Sequence, residues 1–401
     1  MSTQRTSKKE EISKLNPKYN NKNGLILGSF YEIPEYFRHN EYIKNGYRLN
    51  CNSFSSAVKS IFNFHNETVN VWSHLLGAVL FLILILYTIN FITNYTSQLR
   101  TVKLRISEIE KTNNFAKLNN NTDINNFYTL LNNFKKDLQN YSFSLLNNAY
   151  EVMINKISSN FTKFKNILSD KYISLKYSFS DLLKLSNYKI IPEKNLERWP
   201  LIIFLISAIL CLSFSSFFHL VGNISPQVHR ILSRFDYGGI SLLITGSCYP
   251  PYFYFFYCDT KLKKFYIIYI TTFGLITFLL CLSNGFNLPK RRVFRGSLFL
   301  SFGISSGIPI IHMAFFGYTI KGYIPGIRIL FWYLGGITYI IGALLYLVRF
   351  PEKKCPGRFD YFGSSHQLLH FAVVIAAIFH YIGCLDAYYA RFDNLCYKYV
   401  E

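Results

Sequence analysis

The sequence predicts an all-α membrane protein, a bundle of seven transmembrane helices with its N-terminus inside and its C-terminus outside. Three observations carry that prediction. The apolar residues fall in several runs of about 20 that are almost free of charge, which is the length a helix needs to cross a hydrocarbon core. The chain of 401 residues is 50% hydrophobic and only 16% charged, too apolar for a disordered or nucleic-acid-binding tail. The runs are odd in number, so the two ends lie on opposite faces.

Residues 1–66 are polar and lack the apolar stretch of a signal peptide, so they are expected to form a cytosolic tail, with insertion led by the first spanning helix. Spans are read near residues 68–94, 199–221, 231–257, 263–284, 295–318, 326–349 and 363–387. The corresponding segments are a first transmembrane helix over 67–95, a polar insertion over 96–197, helices two to seven within 198–387 and a C-terminal tail over 388–401. Pro, Gly and basic residues in the connectors 223–230, 287–292 and 351–358 close the helices at the membrane interface. Connectors on the N-terminal side carry ten Lys and Arg against seven on the other, which places the N-terminus inside.

The insertion is rich in Asn, Lys and Ser and reads as a tolerated surface loop. Within it, Leu131, Phe134, Leu138, Tyr141 and Leu145 also fit an amphipathic helix or coiled coil. On the outer face, Asn94, Asn120, Asn140 and Asn160 would head glycosylation sequences. A net charge of +21, concentrated in the tail, insertion and connectors, suits anionic lipid headgroups, and no nucleic acid is expected as partner. The eight cysteines are scattered without a C-x-x-C pair, so neither a disulfide framework nor a cysteine metal site is expected.

Ionisable groups at membrane depth mark sites, because burial in lipid is costly. Glu67 and His74 open the first span, Ser215 and His219 close the second, Asp236 opens the third, and His366 and His370 open the seventh. Odd helices begin and even helices end on the N-terminal side, so all of these groups occupy one leaflet. His366 and His370, four apart, share a helix face, and His219 offers a third imidazole from another helix. Three imidazoles with a fourth position open describe a catalytic zinc site, and imidazole disfavours Mg and Ca. The alternative is that each His is an interhelical hydrogen-bonder. Asp236 can act as general base on water, or can cap the third helix, and Ser215, one turn before His219, can hydrogen-bond a substrate carbonyl or water. Glu67-x-x-Asn70-x-x-x-His74 fits a role in tying the first helix to its neighbours. His312 and His380 read as structural, and His39, His65 and His229 as solvated at the rim.

This constellation resembles the progestin and adipoQ receptor (PAQR) family, which includes the adiponectin receptors and the haemolysin III-like proteins. The resemblance rests on Glu67-Thr-Val-Asn70-Val-Trp-Ser-His74-Leu-Leu-Gly77, on Ser215-Ser-Phe-Phe-His219 with Asp236 in Phe235-Asp236-Tyr237, on Ser365-His366-Gln-Leu-Leu-His370, and on the segment Asn40 to Arg48. It covers about residues 34–95 and 199–387. It implies zinc held by His219, His366 and His370 near the cytoplasmic face, with Asp236 reaching the metal through water. The long insertion departs from the family's usual first loop, which puts any known extracellular ligand in doubt.

Two functions follow as expectations. One is a zinc-dependent hydrolase of a lipid amide, ceramidase-like, in which Asp236 and Ser215 serve the chemistry. The other is a signalling receptor of the adiponectin or progestin type with a structural zinc and an extracellular ligand. Membrane lipids are partners in either case, and the chain is expected to be an integral multi-pass protein of the plasma membrane or an endomembrane. A retinal protein is excluded by the lack of Lys in the seventh span, and no D-R-Y or N-P-x-x-Y mark supports a G-protein-coupled receptor.

Overall fold

The computed structural model describes residues 19–20, 25–111, 196–286, 288–317, 320, 329–393 and 396. The stretch from Leu131 to Leu145 and the sequences at Asn120, Asn140 and Asn160 lie outside the described residues. The chain divides into two units, Met1–Asn90 with Leu196–Glu401, and Phe91–Asn195. Of the second, the described part is the continuation of a helix to Lys111.

The polar N-terminal segment is folded where a simple tail was expected. Strands β1 (Tyr19–Asn20), β2 (Ile26–Gly28) and β3 (Tyr47–Arg48) pair antiparallel in that order. A small cluster of Ile33, Phe37, Ile43 and Tyr47 is buried beside them. Helix α1 (Phe54–Lys59) starts at a capping box in which Ser53 and Ser56 satisfy each other's backbone N–H. Buried carboxylates tie this segment to the bundle. Asp360 accepts the backbone N–H of Lys44 and Asn45 at 2.7 and 2.9 Å, and Glu352 accepts Asn40 Nδ2 at 3.0 Å.

Of the three rim histidines, His39 is exposed as expected, whereas His65 and His229 are not. His65 has 0% exposure, and His229 is buried with its Nδ1–H donating to the Gly222 carbonyl, which leaves Nε2 as acceptor for His39 Nε2–H at 3.2 Å. Their neighbours in the folded N-terminal segment, which the polar sequence conceals, are the reason. Burial holds the His229 ring down at about pKa 4. The unfolded ring titrates near 6.5, so its contribution is whole above that pH and is lost as the pH falls toward 4. Amide exchange over residues 39–47 should therefore accelerate across that window, and His229→Phe should flatten the response.

Helices α2 (Thr68–Lys111), α3 (Trp199–Val221), α4 (Pro226–Phe255), α5 (Thr260–Leu282), α6 (Arg292–Ser305), α7 (Ile308–Phe316), α8 (Leu330–Val348) and α9 (Ser365–Asp393) follow among the described residues. Each local signal has a cause. Pro226 and the Ser225 side chain, which accepts the Val228 N–H, start α4, and Asp259 caps α5 in the same way. Asp236 therefore lies ten residues inside α4 and caps nothing. The first helix runs well past the expected end near residue 95, and the last extends into the expected C-terminal tail.

Among the described residues, six helical stretches are long and apolar enough to cross a membrane: 68–90, 199–221, 260–282, 292–316, 330–348 and 365–391. The fourth of these joins α6 and α7 across a break at Ser306 and Gly307. The third predicted span is α4, 30 residues long but too polar to meet that criterion. Its position explains its composition, since α4 packs against α3, α5, α6, α7 and α9 and meets protein on most sides. Small residues set the close crossings. A Cβ on Gly342 of α8 would lie 2.6 Å from the Ala372 Cβ of α9, and one on Gly239 of α4 would lie 3.0 Å from the Cys211 Cα of α3. Helix α2 packs on α3 and α9 through Phe81 against Phe204 and through the Thr88 and Tyr381 hydroxyls at 2.8 Å.

A disulfide was not expected, yet Cys258, after α4, bonds Cys396, beyond α9. The two are 138 residues apart, so only the fold brings them together. Beside it, buried Arg391 donates to the Tyr254 and Phe255 carbonyls at the end of α4.

Candidate metal centre

Helix α3 ends by presenting His219, and α9 begins by presenting His366 and His370 one turn apart. The three ring centroids form a nearly regular triangle of 4.9, 4.9 and 4.8 Å. One ring nitrogen from each lies within 4.8 Å of the others, a span that a single ion can bridge. This is the set the sequence spacing brings forward.

Hydrogen bonds fix which nitrogen is available in two of the rings, those of His219 and His370. His219 Nδ1 faces the Glu67 carboxylate at 2.8 Å, while its buried Nε2 meets no partner. His370 Nδ1–H donates to the Asn70 carbonyl at 3.2 Å, with Ser73 Oγ at 3.3 Å. A carbonyl only accepts, so the proton sits on Nδ1 and the Nε2 lone pair of His370 is left for a ligand. A bound ion would satisfy the buried Nε2 of His219, which otherwise lacks a partner. Two carboxylates near three neutral rings also balance the charge of a divalent cation. The residues present therefore fit a metal held by His219, His366 and His370.

The support around these ligands extends to the first helix and the N-terminal segment. Glu67 also accepts Asn70 Nδ2 at 2.6 Å, so the acidic motif that reads as helix tethering orients a ligand ring as well. Arg48, 4% exposed, donates to the carbonyls of His219 and Leu220 at 2.8 Å and locks the last turn of α3. His74 stacks on His370 with centroids 3.7 Å apart and ring planes 7° apart. Carboxylates that hold a ligating imidazole typically contribute about 10–100-fold to metal affinity. Glu67→Gln should lose that much in a chelator competition titration, with helix content unchanged.

Asp236, 8% exposed, comes from α4, and Ser215, 4% exposed, comes from α3. Both line an apolar cavity of about 260 Å³ that His366 and His370 also line. Asp236 and His366 line a second cavity of about 450 Å³ on the N-terminal side, more polar than the first. Outside the cluster, His312 Nδ1 pairs with the Tyr266 hydroxyl at 2.6 Å and His380 Nε2–H donates to the Ser247 carbonyl at 2.6 Å, as interhelical hydrogen-bonders do. Sequence reasoning missed Arg295 as part of the site. It had the residue among the basic connector positions, whereas it is 5% exposed and bonded to the carbonyls of Phe286 and Leu288.

A polytopic helix bundle with a buried three-histidine centre at one end is the class that this fold and site define. The chain belongs to the Haemolysin-III related family, which matches residues 62–108 and 172–381. It is 34% identical over 357 residues to Heptahelical transmembrane protein 4 of Arabidopsis thaliana, covering 88% of this chain and 86% of that protein. The Adiponectin receptor protein of Drosophila melanogaster is 28% identical, over 88% of this chain and 57% of its own length. The ADIPOR-like receptor IZH2 of Saccharomyces cerevisiae is 28% identical, over 90% and 84%. The resemblance read from the motifs is thus borne out, and the chain is an integral multi-pass membrane protein.

Proposed function

We propose that the protein is a zinc-dependent hydrolase of a lipid amide. The carrying observation is that one layer brings together three imidazoles, Asp236 and Ser215 where an apolar cavity meets a more polar one. Imidazole donors in this number favour zinc over the harder divalent cations. When bound, zinc supplies Lewis-acid polarisation of a carbonyl and makes water more acidic. Asp236 accepts a proton from the attacking water at its carboxylate and delivers it to the leaving nitrogen, while the hydroxyl of Ser215 orients the carboxylate or the carbonyl. Water adds to the amide carbon, the C–N bond breaks, and a carboxylic acid and an amine result. The apolar cavity holds the acyl chain and keeps bulk water out.

An N-terminus inside and a C-terminus outside agree with this reading. The Cys258 to Cys396 disulfide lies on the face opposite the N-terminus, and disulfides persist in oxidising compartments. The names of the fly and yeast relatives favour a second reading, a receptor whose zinc is structural. The test is zinc analysis of the purified full chain, paired with amine release from ceramide and from simple N-acyl amides. Zinc-dependent amine release is the expected result. Zinc-replete protein that releases no amine, yet binds an outside ligand saturably, would transfer the conclusion to the receptor.

A further inference from the structure

We infer that the lipid amide carries a negative charge on its amine side, seated in a basic vestibule between the N-terminal segment and the bundle. This rests on the hydrolase reading and names its substrate class. The two cavities share Asp236, Tyr237, Arg295, Tyr346 and His366, so the scissile group lies at that boundary. The inner cavity is walled by Leu243, Phe299, Leu300 and Trp332 and takes the apolar half of an amphiphile. What remains of the molecule, beyond the nitrogen, enters the vestibule.

The vestibule is lined by Arg230, Arg292, Arg295 and Arg349. Its three carboxylates, Glu67, Asp236 and Asp360, are fewer than its four arginines; Asp236 lies near Arg295, and the other two are committed. Glu67 holds His219 and Asn70, and Asp360 takes the backbone N–H groups of Lys44 and Asn45 together with Asn45 Nδ2. Arg349 pairs with Glu41 at 3.0 Å. Among the described residues, no carboxylate forms an ion pair with Arg230, Arg292 or Arg295. Arg292 donates to the Tyr346 and Leu347 carbonyls, and Arg295 to two carbonyls and the Tyr237 hydroxyl. These are neutral partners, and the buried Nε of Arg295 has none. A guanidinium taken out of water without a counter-charge is costly, and an anion in the vestibule removes that cost. A phosphate or a carboxylate offers the planar, multidentate acceptors that arginines recognise. A neutral hydroxylated headgroup leaves the cations uncompensated.

The test uses three probes with one acyl chain: N-oleoylethanolamine, N-oleoylglycine and N-oleoyl-O-phosphoethanolamine, with inorganic phosphate as a soluble control. Binding to the zinc-loaded full chain in neutral detergent is measured alongside amine release. Both anionic probes should bind at least about tenfold more tightly than the neutral one, and added salt should shrink the difference. Arg292→Gln should narrow the ratio toward unity. Arg230→Gln, at an exposed position, should narrow it in part and guards against a folding defect in the first variant. Equal affinities for charged and neutral probes, or a preference that survives both substitutions together, would overturn the inference. So would inorganic phosphate binding as tightly as the phospho-probe, which would mark a soluble anion as the ligand. Charge-selective binding without amine release would instead remove the hydrolase reading and leave the headgroup site standing.

Discussion

Replacing His219 by Ala is expected to strip the purified protein of zinc, from about one ion per chain to a trace, and to lower its unfolding temperature. The variant loses one of three donors and at the same time leaves the Glu67 carboxylate without its imidazole in a buried layer. Glu67 keeps its amide partners Asn66 and Asn70 but loses a hydrogen bond to a charged group, worth about 1.5–3 kcal/mol, so the effect on stability exceeds that of metal loss alone. His366→Ala and His370→Ala should abolish metal binding as well. His312→Ala is the control. It removes a hydrogen bond to Tyr266 far from the cluster, so it should soften the fold by about 1 kcal/mol and keep the ion. A chelator should lower the unfolding temperature of the parent protein and leave that of His219→Ala unmoved, because a ligand stabilises only the state that binds it. Zinc retained at full stoichiometry in His219→Ala would end the three-histidine assignment.

Much of this centre was legible because its signals are periodic. The i, i+4 spacing of His366 and His370 sets two rings on one face before any tertiary structure is known, and the alternation of helix direction puts His219 at the same depth. The apolar runs likewise gave α3 its bounds to the residue, from Trp199 to Val221. What escaped depends on contacts between distant parts of the chain. Arg48 reaches the carbonyl of His219 across 171 residues, and Asp360 holds the backbone near Lys44 across 316. No local pattern encodes such pairings, so a polar segment that folds against the bundle reads as a tail. The disulfide escaped for the same reason. Helix α4 was read as one more apolar run, and its low hydropathy is the mark of a helix enclosed by protein on most sides, where lipid no longer selects its composition.

Asp236→Ala separates the two functional readings most sharply, because it leaves every metal ligand in place. Asp236 makes none of the bonds that orient His219 or His370, which belong to Glu67 and to the Asn70 carbonyl. Zinc content should therefore stay close to that of the parent, while amine release falls by about 10²–10⁴-fold, the usual contribution of a positioned general base. Most of that loss should appear in kcat, since the carboxylate acts on water and on the leaving nitrogen, and the cavities bind the rest of the lipid. Asp236→Asn keeps the volume but cannot take the proton, so it should be nearly as inactive. Ser215→Ala should cost only about tenfold, because it removes one neutral hydrogen bond from an otherwise intact site. If turnover in purified Asp236→Ala equals that of the parent, the carboxylate has no part in proton transfer, and a structural zinc beneath a receptor surface becomes the better account of the same three imidazoles.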